Sequence, residues 1–172
     1  FSASQLLNAL VSKFAVGPLS AKLTRELFCC YSLLFMALCY MGASVFMPGT
    51  AGLELFVRLV PIHPSIPFAS FTLLVFAAAF ARGPAFTAVN TTLVPDDLKG
   101  TAISMEHTMF SLSGFITPLF TSWLTAAMGA GAVCALVSVL ESANAFSWRI
   151  NGVPVIRRIQ GGLLNSESKK ED

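Results

Sequence analysis

Leu27–Met47, LFCCYSLLFMALCYMGASVFM, decides how the rest of the chain is read. Its 21 residues carry no charge and stop at Pro48-Gly49. At about 1.5 Å per residue they make a helix roughly 31 Å long, which matches the hydrocarbon thickness of a bilayer. The pattern recurs along the chain. Between Glu26 and Glu54 lie 27 residues without Asp, Glu, Lys or Arg, between Arg58 and Arg82 another 23, and between Glu106 and Glu141 another 34. A run of about 18 is long enough to span. Across all 172 residues only 12% are charged and 55% are hydrophobic, with mean hydropathy +0.71. An ordinary soluble domain carries roughly 25% charge. The composition therefore speaks against a disordered chain, a secreted disulfide scaffold or a nucleic-acid module, and for an integral membrane protein in contact with lipid.

Outward from Leu27–Met47 the sequence divides into about five spans. Residues 1–19 are apolar but speckled with Ser, Gln, Asn and Lys13, and end at Gly17-Pro18; they read as the remaining end of a spanning helix. Residues 48–67, with Pro48, Pro61, Pro64 and Pro67, read as a surface loop. The remaining spans are 68–94, interrupted by Arg82 and Gly83-Pro84, then 101–125, and 128–146 beyond the Gly129/Gly131 turn. Residues 1–148 thus form a transmembrane bundle. Residues 149–172, ending SESKKED, are expected to be a solvated, disordered tail. Phe1 carries no initiator Met and no leader-type segment, so the chain reads as truncated at its start.

The basic residues give an orientation. With five crossings, one side holds Lys22, Arg25, Lys99, Arg149, Arg157, Arg158, Lys169 and Lys170, and the other only Arg58. Basic loops stay in the cytosol, so the C-terminus is expected there. Cys29, Cys30, Cys39 and Cys134 lie in apolar runs without CxxC spacing and read as small core residues. With two histidines and no clustered acids, no metal or cofactor is expected.

Three candidate groups carry chemistry. Arg82 lies 14 residues before Asp96, about 21 Å along a helix, too deep to reach the surface easily. A charge at that depth costs on the order of 2.5–3.5 kcal/mol and is expected to face a watered cavity or a partner. Its guanidinium suits a carboxylate or phosphate, with Lys13 and Asn90 as candidate helpers; the structural alternative is an ion pair. Glu106 and His107 are a carboxylate and an imidazole within one span, the types used for proton coupling or gating. They stand about 100° apart on a helix and do not form a natural pair. Glu141 reads as interfacial. An embedded enzyme is disfavoured, because no serine or histidine stands in a nucleophile's setting.

The order of these pieces resembles half of a major facilitator superfamily transporter. The family's loop G-x-L-a-D-r-x-G-r-r is matched by Gly17, Leu19, Lys22 and Arg25. Ala21, Thr24 and Glu26 replace its acidic, second glycine and last basic positions. Gly83-Pro84, Pro95, the Lys99-Gly100-Thr101-Ala102 string, Gly114 and Pro118 are similar to two later helices of such a half. Ser12-Lys13-Phe14 is similar to the organophosphate:phosphate antiporter branch and favours the first half, whereas the Lys-Gly-Thr-Ala string and the charged tail favour the second. The resemblance implies an all-α polytopic bundle, five helices of a six-helix half, with the N-terminal half of the same transporter as partner. It implies alternating-access transport of a small solute, an organic or phosphorylated anion if Arg82 faces the cavity. The alternative is a membrane subunit or remnant without transport of its own.

Overall fold

A computed structural model describes residues 17–168 together with Leu6, Leu10, Val11, Lys13 and Phe14. Its helices are α1 (Gly17–Lys22), α2 (Arg25–Val45), α3 (Ala51–Leu59), α4 (Ser65–Leu93), α5 (Lys99–Met128), α6 (Ala130–Ser147) and α7 (Val153–Ser168). A 3-10 turn, Asp96–Leu98, precedes α5, and one widened π turn, Trp148–Gly152, joins α6 to α7. No strand occurs among the described residues. Three helices are long and apolar enough to cross a membrane: Arg25–Val45, Ser65–Leu93 and the continuous run Ala130–Ile159.

The all-helical class is as expected; the boundaries differ in instructive places. Most of the expected first span, residues 1–19, lies outside the described residues. Within 48–67, where a loop was expected, α3 forms. The prolines flank it, and residues 50–60 contain none. Thr50 caps it, accepting a hydrogen bond from the Leu53 N–H at 3.4 Å while its hydroxyl donates to Met47 at 2.8 Å. Leu53 turns inward while Glu54 and Arg58 face out. Helix α5 has the length to span but is not among the three. Its hydroxyl residues, Gly114 and Pro118 dilute the apolar content, and none of its described residues is buried.

Helix α2 is the centre, with α4 against one side and α6 against the other. The contacts use small residues, which let helix backbones approach without a hydrophobic drive between them. Ala81 and Ala85 of α4 pack against Phe28 and Cys29 of α2. At the other end of that interface Gly42 leaves room for the Phe71 ring, which a Cβ would meet at 2.5 Å. On the α6 side, Ser138 Oγ donates to the Ala37 carbonyl at 2.7 Å and Cys30 Sγ to that of Ala145 at 3.5 Å. Both helices therefore run antiparallel to α2.

Beyond residue 146 the chain stays helical rather than becoming a solvated tail. Val153 and Ile156, one turn apart, are buried. Trp148 Nε1 donates to the Glu26 carbonyl at 2.9 Å, and Arg157 Nε stands 3.6 Å from Glu26 Oε1. A polar composition did not reveal this apolar spacing. Lys169–Asp172 lie outside the described residues.

Candidate solute-binding cavity

Antiparallel packing of α4 and α6 against α2 leaves a space of about 260 Å³ between the three helices. Cys29 and Leu33 of α2, Arg82, Gly83 and Phe86 of α4, Asn144 of α6 and Trp148 line it. The Phe86 and Trp148 rings, 5.8 Å apart between centroids and inclined by 47°, make an aromatic wall. Arg82 is half-buried and makes no hydrogen bond or ion pair with a described residue. Pro84, two residues on, has no N–H to give the Phe80 carbonyl, so the backbone beside the guanidinium is locally released. A cation, an amide and two rings border this space, and a guanidinium fork is able to meet carboxylate or phosphate oxygens.

The cavity lies at the level of Cys29 and Leu33, which are four and eight residues into α2. That is about 6–12 Å from the start of α2, whereas the 21 Å expected from the sequence runs along α4 to Asp96. The two lengths differ because α4 extends past the level at which α2 begins. At that same end Thr24, Arg25 and Glu26 share a recess of about 300 Å³ with Ala88, Val89 and Thr92. The α1–α2 connection, the end of α4 and residues 148–157 therefore meet at one end of the bundle, which gathers Lys22, Arg25, Arg149 and Arg157.

The other expected site residues are placed as follows. Lys13 is exposed, its ammonium 5.7 Å from the Phe14 ring centroid, and does not line the cavity. Asn90 sits about two turns along α4 from Arg82, half-buried and away from the cavity. Asn144, which the sequence reading passed over, takes the amide's place. Its signal was a polar position three residues after Glu141 and four before Trp148 on an apolar helix. Glu106 Oε1 accepts a hydrogen bond from the Thr87 hydroxyl at 2.9 Å, tying α5 to α4. His107 is exposed, so the two are not brought together.

The residues matched to the signature loop are mostly helical. Gly17 opens α1, Leu19 lines an apolar space of about 310 Å³ between α1, α2 and α4, Lys22 closes α1 and Arg25 opens α2. Only Leu23 and Thr24 intervene. Glu26, one residue into α2, stands at the positive end of the helix dipole and faces Arg157 as well. Among the described residues no cluster of His, Cys, Asp and Glu forms that would hold a metal ion. No family model matches the chain, and neither does any curated protein or solved structure.

Proposed function

We propose that the chain is part of a secondary transporter of the major facilitator type, moving a small anionic solute by alternating access. The observation that carries this reading is Arg82: a cation without a partner among the described residues, in an aromatic-walled cavity between three apolar helices. A guanidinium at such a place is costly unless it meets water or an anion. Its planar fork recognises carboxylate and phosphate oxygens, and Asn144 offers an amide to the same ligand. The Phe86–Trp148 wall excludes water and supplies an apolar surface for the solute's carbon frame. The order of helices and turns along the chain supports the family reading, and the second half of such a carrier fits it best.

On this reading the bundle crosses the membrane five times, with α5 as the fourth span and residues 1–19 as the first. The basic end of the bundle faces the cytosol, together with the C-terminus. The N-terminal half of the carrier supplies the opposing wall, because alternating access rocks two lobes around one site. The test is uptake by the full-length carrier in proteoliposomes. Arg82→Ala should abolish transport while insertion and expression persist, and Arg82→Lys should retain only a small fraction, since a point charge lacks the fork. Normal transport with Arg82→Gln removes Arg82 from the solute site and the anion from the proposal.

A further inference from the structure

Helices α4 and α6 each carry one formal charge, Arg82 and Glu141, and Leu27–Val45 of α2 carries none. Both charges are left open. Arg82 has no partner among the described residues, and Glu141 Oε2 is buried without a hydrogen-bond donor. A buried carboxylate oxygen ordinarily has a donor, so this one calls for a reason.

The helix register supplies it. Cys30 opposite Ala145 and Ala37 opposite Ser138 set Glu141 level with Leu34 of α2. Arg82 shares its cavity with Cys29 and Leu33. The two charges therefore occupy one layer of the bundle, within about one turn of axial rise. Glu141 also lies three residues before Asn144 and seven before Trp148, on the face of α6 that lines the cavity. Tyr40 of α2 stands within electrostatic reach of both charges. The neighbour α5 shows no pairing with either charge: Glu106, the acid that would compete for Arg82, accepts from Thr87, and His107, the base that would pair with Glu141, is exposed.

We propose that Glu141 is the solute's resident rival for Arg82. In one state of the transport cycle its carboxylate pairs with the guanidinium, and an anionic solute binds by displacing it. The proposal rests on Arg82 as the anion-binding group. It adds that release is driven from within the protein: as the cavity closes, the carboxylate reclaims the cation and the solute's oxygens lose their fork. Arg82 is thus compensated in both states, by the solute in one and by Glu141 in the other.

Sulfate, a small anion that stays doubly charged across neutral pH, is the probe. Radiolabelled sulfate binding to the full-length carrier should strengthen at least tenfold in Glu141→Gln and be lost in Arg82→Gln. Adding Glu141→Gln to Arg82→Gln should then restore nothing. Glu141→Asp, with its shorter arm, should fall between the parent and Glu141→Gln. A charge swap needs no ligand. Arg82→Glu and Glu141→Arg should each lower the melting temperature, and the double exchange should recover more than half of the loss. Sulfate binding absent from the parent overturns the anion reading of Arg82 and this proposal with it. Binding lost in Arg82→Gln but within twofold of the parent in Glu141→Gln overturns this proposal alone. A swap whose losses merely add also overturns it, since independent sites are additive.

Discussion

Trp148 offers the sharpest test of how the cavity is built, because its ring and its N–H do separable work. The ring lies against Phe86 and joins both core clusters around α2, while Nε1 donates to the Glu26 carbonyl at 2.9 Å. Trp148→Phe keeps most of the ring and removes the donor. The Glu26 carbonyl is already within α2's own hydrogen-bond ladder, so it is not orphaned and the loss should be about 1 kcal/mol. Trp148→Ala removes both. A fully buried Trp→Ala change costs about 3–5 kcal/mol. Trp148 is only half-buried, which brings the expected total to roughly 2–3 kcal/mol. Pairing each variant with Phe86→Ala isolates the ring contact, expected at about 0.5–1.5 kcal/mol. Equilibrium unfolding in detergent, followed by helical signal, measures every variant. The reasoning fails if Trp148→Ala costs less than Trp148→Phe, or if the Phe86 cycle shows no coupling. Either result would mean that the aromatic wall is not packed as described.

Gly42→Ala should destabilise the α2–α4 contact by about 1–3 kcal/mol, since the added Cβ would stand 2.5 Å from the Phe71 ring. Phe71→Leu in the same chain should recover part of that loss, and unfolding of the pair in detergent checks it. Thr50→Ala should cost about 1 kcal/mol and loosen α3 alone, seen as faster amide exchange over Ala51–Leu59 with α2 unchanged. At the turn before α5, the Lys99 ammonium hydrogen-bonded to Asp96 at 2.5 Å, and its charge, hold that carboxyl below its ordinary value. A depressed value stabilises the fold above the unfolded carboxyl's range and is lost as pH falls through the folded one. The side chain is fully exposed, so the acid-side loss should be slight; Lys99→Met should erase the shift in a carboxyl titration by NMR.

The helical class and the central helix were legible because an apolar run long enough to cross a bilayer leaves the backbone few choices. Twenty-one uncharged residues ending at Pro-Gly admit one reading, and Leu27–Met47 differs from α2 by no more than two residues at either end. The same logic marked Arg82, since a lone cation in an apolar run is conspicuous whatever surrounds it. Smaller features were hidden by their own punctuation. Prolines around 48–67 concealed α3, and polar residues after 148 concealed Val153 and Ile156, whose one-turn spacing matters more than the average composition around them.

The residues that share the Arg82 cavity were not written in the sequence in any readable form. Lys13 and Asn90 were natural choices by residue type, yet a side chain's neighbours depend on the register between helices. That register is fixed by small contacts far apart in the chain: Ser138 on Ala37, Cys30 on Ala145, alanines of α4 on Phe28 and Cys29. Periodicity along one helix says which residues share a face, but not which face of another helix it meets. Hydropathy thus selected the helices and exposed the stray charge, because transfer from water to lipid is a property of each segment alone. Asn144 and Trp148 were placed around the Arg82 cavity by packing, a property of pairs of segments that no single stretch contains.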